Sequence, residues 1–134
     1  MPPAILETAL YCPDLDAARR FYSEKLELEI IVEVPGRHVF FQLENSVLLI
    51  FNPAATVEPS STKLAVPVHG ATGAGHACFS TAPLGYEHWL DKIRGKGIEI
   101  EQEVVWPNGA RSFYFRDPAE NSLEFGEPKL WELA

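Results

Sequence analysis

Apolar and polar positions follow two different periods along this chain. Short apolar runs bounded by proline, glycine or asparagine are typical of strands, and apolar residues three or four positions apart indicate a helix. Asp14 stands before one such helical stretch as a candidate N-cap. Two helices are predicted, at 14–26 and 83–96. The predicted strands are 4–11, 29–34, 37–43, 47–51, 76–80, 98–105, 111–116 and 122–125.

The elements follow the order βαβββ twice, and short sequence matches accompany the repeat. GRHVFFQ (36–42) matches ARSFYFR (110–116), and ENSVLL (44–49) resembles ENSLEF (120–125). One copy of about 60 residues is too short to bury a large core, so two copies sharing one body are expected. The prediction is one α+β domain with a curved sheet and helices outside. Its parts are module 1 at about 4–52, a linker rich in proline and glycine at 53–73, module 2 at about 74–127 and a tail at 128–134.

Composition narrows the range of partners. The 134 residues are 46% hydrophobic and 22% charged, with a formal net charge of -8. An acidic chain without a basic cluster is a poor ligand for nucleic acid or an anionic membrane, so neither partner is expected. No apolar run approaches the roughly 18 residues of a membrane helix, and the N-terminus lacks the pattern of a signal peptide. We therefore expect a cytoplasmic protein in which Cys12 and Cys78 are free thiols.

Three polar residues interrupt apolar strands. Glu7 and His76 fall opposite each other when the two opening strands are aligned, and Glu124 lies between Leu123 and Phe125 in the closing strand. A carboxylate inside an apolar strand is costly unless it is paired, binds a metal or faces solvent from an edge. Three such residues on one repeat-built body are candidate ligands of one cation, and exposure of each at an edge strand is the alternative.

These residues lie in segments that resemble a known family. DLDAARRFYSEKLEL, the GHACF strand start and YFRDPAENSLEF are similar to segments of the vicinal-oxygen-chelate superfamily. The superfamily includes glyoxalase I, bleomycin- and fosfomycin-resistance proteins, extradiol dioxygenases and methylmalonyl-CoA epimerase. The last segment resembles the closing signature Asp-Pro-x-x-Asn-x-x-Glu. The resemblance covers nearly the whole chain and implies the βαβββ repeat fold.

The resemblance also implies a metal site with Glu7, His76 and Glu124 as ligands. Glu7 stands seven residues before Asp14, where the family more often has His or Gln. The fourth ligand of glyoxalase I, a Glu in the last strand of module 1, falls within VLLIF, so Leu48, Leu49 or Ile50 replaces it. A three-ligand site would leave positions open for water or substrate. The expected cofactor is one divalent ion, Zn, Ni, Co, Mn or Fe.

The implied activity is that of a metal-dependent lyase or isomerase acting on a small oxygenated substrate. Glu7 and Glu124 are the candidate catalytic groups, since either carboxylate could take a proton. Two alternatives stay open. One is an Fe(II) ring-cleaving dioxygenase, which would ordinarily use two His and one carboxylate. The other is a metal-free protein that binds a drug and confers resistance.

Several further residues are candidates for substrate binding. Arg37 and Arg111 start matching strands, and each lies either at a pocket or at the surface. His69, in the glycine-rich stretch HGATGAGH, is either a lid element or a solvated loop residue. Aromatic residues of the strands line a cavity or simply fill the core. The aromatic candidates are Phe40, Phe51, Trp106 and Phe113. The resemblance also implies a homodimer.

Overall fold

The computed structural model describes residues 1–59 and 64–133. The linker residues 60–63 and the last residue of the predicted tail, Ala134, lie outside the described residues. The chain forms two compact units, Met1–Gly73 and Ala74–Ala134. Each contains one βαβββ set, so the predicted α+β class and element order are confirmed.

The first unit holds a sheet of four strands in the order β1-β4-β3-β2. β1 and β4 are parallel, and the other neighbours are antiparallel. The strands are β1 Glu7–Tyr11, β2 Ile30–Val34, β3 His38–Gln42 and β4 Val47–Phe51. The helices are α1 Leu15–Arg20, which continues as a π-helical turn at Phe21–Lys25, and the short α2 Pro53–Thr56 within the predicted linker.

The helix α1 begins after Asp14 because the Asp14 carboxylate accepts a hydrogen bond from the Ala17 N–H at 3.0 Å. Alternate strand residues point to opposite faces of a sheet, so Val39 and Phe41 share one face. The ring of Tyr22 lies 5.4 Å from that of Phe41, which places the helix on this face. Packing of the helix buries the apolar side chains of this face, and the helix does not cover the opposite face of the sheet.

The second unit repeats this arrangement. Its strands are ordered β5-β8-β7-β6, with β5 parallel to β8 and the remaining pairs antiparallel. The strands are β5 His76–Ser80, β6 Gln102–Val105, β7 Arg111–Arg116 and β8 Ser122–Gly126. The helix α3 spans Tyr86–Gly95, and a 3₁₀ turn follows β8 at Pro128–Trp131.

The second unit also shows where predicted boundaries move. The helix begins at Tyr86 rather than at residue 83, after Gly85 with a φ of 99°. Strand β6 begins at Gln102 rather than at residue 98, and Ile98, which follows the helix, is buried in the core ahead of the strand. Trp89 of α3 stacks on Phe125 with ring centroids 4.7 Å apart, so the helix covers the face that carries Phe125. Over the described part of the chain, no helix has the length and apolar character to cross a membrane.

Candidate functional site

The face of the second sheet opposite α3 carries most of its polar side chains. Residues of alternating position on β5, β7 and β8 share this face. Cys78 of β5 pairs with Glu124 of β8, and Glu124 pairs in turn with Tyr114 of β7. His76 precedes Cys78 by two positions and so lies on the same face. A thiol, a carboxylate, a phenol and an imidazole therefore meet on one sheet surface.

The turn between β7 and β8 fixes the position of His76. Asp117 accepts hydrogen bonds from the backbone N–H groups of Ala119 and Asn121, both at 2.9 Å. The Asn121 amide donates to Asp117 at 2.9 Å and accepts from the Gly75 N–H at 2.7 Å. Asp117 and Asn121, the Asp and Asn of the closing signature, thus tie the start of β5 to the start of β8.

His76 and Glu124 form a close pair. His76 Nε2 lies 3.3 Å from Glu124 Oε1, and His76 Nδ1 lies 2.8 Å from the backbone oxygen of Ser122. A carbonyl oxygen can only accept, so Nδ1 carries the proton of the ring. In the neutral imidazole, Nε2 then presents a lone pair to a carboxylate oxygen. Two acceptors at this distance require a proton or a cation between them.

The second oxygen of Glu124 has no partner. The residue is 5% exposed, and its Oε2 atom is buried without a hydrogen bond from any described residue. A buried carboxylate oxygen without a partner is unfavourable, because it has lost water and gained nothing. The orphaned Oε2 and the unprotonated Nε2 are nitrogen and oxygen donors of the kind that divalent transition metals prefer. The residues present therefore fit a divalent cation.

Cys78 and Tyr114 flank Glu124 on either side. Partial desolvation and the negative charge of Glu124 raise the pKa of the Cys78 thiol to about 12. The same two causes raise the pKa of the Tyr114 phenol to about 12. Both groups are therefore neutral near pH 7. A β-carbon at Gly126 would lie 3.1 Å from Cys78 Sγ and 3.4 Å from Glu124 Oε2, so glycine leaves room for the cluster.

Glu7 lies in the first unit, at the position that matches His76. Glu7 opens β1 and pairs with Val47, the first residue of β4, as His76 opens β5 and pairs with Ser122, the first residue of β8. Glu7 is exposed. The counterpart of Glu124 on β4 is Leu49, one of the three residues expected at the place of a fourth ligand. Among the described residues, no three or more His, Cys, Asp or Glu side chains are grouped to hold a metal.

The face of the first sheet opposite α1 carries mainly aromatic side chains, where the second sheet carries polar ones. Phe51 is 6% exposed, and its ring lies 5.3 Å from that of Phe40 and 4.7 Å from that of His69. His38 stacks on Phe40 with centroids 4.1 Å apart. Arg37 Cζ lies 5.6 Å from the centroid of Phe51. The structure thus brings together three predicted binding residues, Arg37, Phe40 and Phe51.

The other three predicted binding residues lie in the second unit and have different surroundings. Trp106 is half-buried, and its indole N–H donates to Ser112 Oγ at 2.9 Å, on the same face as Glu124. Arg111 donates to Glu127 and Glu87. Phe113 is fully buried on the helix side of the sheet, where it stacks on Phe125. Neither Arg111 nor Phe113 faces the His76–Glu124 pair.

Two features of these faces were not apparent from the sequence. Cys78 was expected only to be a free thiol, which it is, and its contact with Glu124 depends on the parallel register of β5 and β8. His69 lies on the aromatic face, where its Nδ1 is hydrogen bonded to the Tyr11 hydroxyl at 2.7 Å. The alternation of β1 could have placed Tyr11 on the face of Glu7, but nothing local indicated that a residue 58 positions away would meet it.

Comparison with known proteins identifies the family. The model of the Glyoxalase/Bleomycin resistance protein/Dioxygenase superfamily matches residues 4–125. A lactoylglutathione lyase from Agrobacterium tumefaciens, known from its crystal structure, is 42% identical in sequence to this chain. The two structures superpose with a TM-score of 0.91 over 98% of each chain. A glyoxalase/bleomycin resistance protein/dioxygenase from Nocardioides shares the fold at 23% identity, with a TM-score of 0.72 over 95% of this chain and 84% of its own. A comparison with curated proteins finds no match.

Proposed function

Because the chain belongs to the glyoxalase/bleomycin resistance protein/dioxygenase superfamily, we propose that it is a metal-dependent, glyoxalase-type lyase or isomerase acting on a small oxygenated substrate. One observation carries the proposal. His76 Nε2 faces Glu124 Oε1 at 3.3 Å while the Nδ1 proton is directed to the Ser122 carbonyl. This is how metal-binding histidines are commonly oriented, with the second ring nitrogen donating to a backbone carbonyl.

We propose that His76, Glu124 and Glu7 hold the ion. His76 and Glu124 supply a nitrogen and a buried carboxylate, and Glu7 stands at the position of His76 in the repeat. Leu49 in place of a fourth carboxylate leaves three protein ligands and an open site. The donor set admits Zn, Ni, Co, Mn or Fe. A bound ion of this kind supplies Lewis-acid stabilisation of charge on a substrate oxygen.

The carboxylates provide the acid–base chemistry in this proposal. Glu124 is one candidate base, since a carboxylate can take a proton from a substrate carbon and return it to a neighbouring one. Glu7 is the second candidate base, since it is exposed to an incoming substrate. Cys78 and Tyr114 stay neutral beside Glu124 and so add no further negative charge next to it.

The first substrate to test is the compound named for the Agrobacterium relative. Lactoylglutathione is a thioester of a 2-hydroxy acid, so it carries a hydroxyl and a carbonyl oxygen on adjacent carbons. The lyase reaction would join glutathione and the corresponding 2-oxoaldehyde to give this thioester. The sequence identity of 42% to this relative, over 98% of both chains, supports this choice.

We propose that four of the six predicted binding residues contact the substrate. Arg37, Phe40 and Phe51 lie together on the aromatic face of the first sheet, and Trp106 borders the polar face of the second. We leave Arg111 and Phe113 out of this set. Arg111 is bound to two glutamates, and Phe113 has no exposed surface.

A homodimer is part of the proposal. Edge strand β2 exposes Ile31, Val32 and Val34, each more than 40% accessible. Exposed apolar residues on an edge strand are commonly covered by another chain. Light scattering of the protein and of a Val32→Glu/Val34→Glu variant tests this, with a dimer expected only for the unmodified chain. The cytoplasmic location stays a prediction; within the described residues Cys12 and Cys78 form no disulfide.

The metal is tested by elemental analysis of protein purified without added metal and after reconstitution with each candidate ion. We expect about one equivalent per chain in the unmodified protein and none in Glu124→Ala or His76→Ala, because each removes a donor. Glu7→Ala is expected to weaken metal binding. Glu99→Ala is the matched control, since Glu99 is an exposed carboxylate outside the proposed site. Absence of metal from every preparation would refute the metal site.

The activity is tested with methylglyoxal and glutathione in the presence of the bound ion. Formation of the thioester, lost in Glu124→Gln and after chelation, is the expected result. Oxygen consumption with a catechol, in place of thioester formation, would assign the chain to the dioxygenase branch instead. Full activity after chelation would contradict the proposed mechanism.

A further inference from the structure

Arg37 and Arg111 hold the same position in the two repeats. Arg37 immediately precedes β3, and Arg111 is the first residue of β7. The backbone oxygen of Arg37 accepts from the Asn52 N–H at 2.8 Å, and that of Arg111 accepts from the Glu127 N–H at 3.0 Å. Asn52 and Glu127 each follow the last residue of the neighbouring closing strand. The two arginines can therefore be compared position by position.

Arg111 has its positive charge neutralised within the protein. Its guanidinium lies 3.3 Å from Glu127 Oε1 and 2.9 Å from Glu87 Oε1, and it covers the ring of Tyr86 at 4.2 Å. Burial alone would raise the pKa of Glu127, but hydrogen bonds from Arg111 hold that pKa below its ordinary value. This arginine is part of the framework of the second unit.

Arg37 has no such partner. The counterpart of Glu127 is Asn52, which is neutral and whose side chain is occupied elsewhere. The Asn52 amide donates to the Gly36 oxygen at 3.1 Å and accepts from the Ala54 N–H at 3.1 Å. No carboxylate of the described residues lies within ion-pair distance of the Arg37 guanidinium, although the chain has 19 acidic and 11 basic residues. The first unit thus keeps the arginine and lacks the acid.

The surroundings of Arg37 direct its charge onto the aromatic face. Nη1 donates to His38 Nδ1 at 2.7 Å, which requires that His38 be neutral and fixes the guanidinium beside the ring. Phe51 lies beneath, at 5.6 Å. The remaining N–H groups of the guanidinium have no acceptor among the described side chains. His69 and Tyr11 complete the rim of this face through their mutual hydrogen bond.

We propose that Arg37 binds the carboxylate of a small ligand whose apolar or aromatic part packs against the half-buried ring of Phe40 on this face. The class follows from the chemistry: a guanidinium forms paired hydrogen bonds with a carboxylate, and ring faces favour an apolar or planar body. This inference deepens the proposed function by naming one part of the ligand. It rests on the proposed function only in taking that ligand as the substrate, since Arg37 needs no metal.

The repeat supplies a direct test, because Asn52→Glu restores the acid that Arg111 has in the second unit. Benzoate is the probe, with benzamide as its neutral counterpart, and binding to chelator-treated protein is followed by NMR titration. We expect saturable binding of benzoate, at least about tenfold weaker binding of benzamide, and a loss of at least about tenfold in Arg37→Gln and in Asn52→Glu. Asn52→Gln loses the same helix cap without adding charge and is expected to bind benzoate within about twofold of the unmodified chain.

The outcomes are decisive in both directions. Equal binding of benzoate by Arg37→Gln, or equal loss in Asn52→Gln and Asn52→Glu, overturns the proposal, as does the absence of saturable binding. If Asn52→Glu does not fold, the proposal is decided by titrating Arg37→Gln and the unmodified chain with benzoate and with benzamide. Arg37→Gln is expected to fold, since it removes one polar side-chain contact. The assay contains no metal. Benzoate binding without metal uptake would therefore refute the proposed function alone, and metal uptake without benzoate binding would refute this inference alone.

Discussion

Glu124 and Leu49 occupy the same position in the two sheets. Each is the third residue of its closing strand, and each pairs with the third residue of the opening strand, Cys78 for Glu124 and Ala9 for Leu49. Leu49 fits an apolar row, whereas Glu124 places a buried, unpartnered oxygen in the equivalent place. The buried carboxylate of Glu124 is therefore a cost to folding that Leu49 does not carry, and the proposed ion would offset it.

The first prediction follows from this difference. In metal-free protein, Glu124→Leu is expected to increase the free energy of unfolding by about 1–3 kcal/mol, because it removes a buried carboxylate oxygen without a partner. Denaturant unfolding in the presence of a chelator measures the change. Added metal is expected to stabilise only the unmodified chain, since binding to the folded state alone shifts the equilibrium. A metal-free Glu124→Leu protein that is less stable would show that the carboxylate is already satisfied.

The fold was largely predictable because the same pattern of apolar residues occurs twice in the sequence. Two copies of one apolar pattern give two chances to recognise each element, and the matched stretches GRHVFFQ and ARSFYFR became β3 and β7. The family resemblance is confirmed by the match over residues 4–125. Boundaries were less accurate where packing overrides local pattern. Ile98 is apolar and strand-like in sequence, but it is buried in the core before β6 begins.

The site was predictable only in part, since the local sequence of a strand does not determine which residues of other strands it contacts. The alignment of Glu7 with His76 is matched by identical registers in the two sheets. The different surroundings of Arg37 and Arg111 depend on which residue follows the neighbouring strand, Asn52 or Glu127. A repeat alignment carried one residue further would have paired these two and indicated the missing acid. Whether Glu7 completes a metal site stays a prediction.

A second prediction separates core from binding surface. Phe113→Ala is expected to lower the free energy of unfolding by about 3–5 kcal/mol, because the ring is fully buried against Phe125. Phe113→Leu, a milder change, is expected to lower stability without changing benzoate affinity. Phe40→Leu is the matched variant on the aromatic face, where the reverse is expected: a smaller loss of stability and weaker benzoate binding. Urea unfolding and NMR titration supply both measurements, and weaker benzoate binding by Phe113→Leu would contradict the assignment.

A third prediction concerns acid pH and His38. Burial, and then the charge of Arg37, lowers the pKa of His38 from 6.5 in the folded protein. The unfolded chain therefore binds the proton more readily, so the contribution of His38 to stability decreases as pH falls below 6.5. The contribution is complete above that pH and reaches its lower limit below the folded pKa.

The test is the difference in unfolding free energy between the unmodified protein and His38→Phe, followed across pH. Phenylalanine keeps a ring to stack on Phe40 but cannot be protonated. The difference is expected to shift against the unmodified protein on going from neutral pH to below 6.5. A difference that is independent of pH would show that His38 titrates alike in both states.

The fourth prediction concerns the segment that carries His69. A β-carbon at Gly70 would lie 2.7 Å from Val57 Cγ1 and 3.3 Å from the Pro53 oxygen, so Gly70→Ala is expected to displace the segment from α2. Displacement would break the hydrogen bond from the His69 N–H to the Thr56 oxygen, now 3.0 Å, and the contact of His69 with Tyr11. Since the sheet is not involved, stability is expected to fall by less than about 1 kcal/mol while the His69 amide exchanges faster with solvent.

Hydrogen exchange followed by NMR measures this local opening, and Gly95→Ala is its control. A β-carbon at Gly95, the last residue of α3, meets no atom within 4 Å, so alanine is expected to be neutral or to stabilise the helix by up to about 1 kcal/mol. His69 exchange should then be unchanged. Faster exchange in both variants would mean that the effect is general to glycine replacement, and unchanged exchange in Gly70→Ala would mean that the segment accommodates the methyl group where it lies. In the expected case, benzoate affinity in Gly70→Ala further reports whether His69 helps to retain a ligand on the aromatic face.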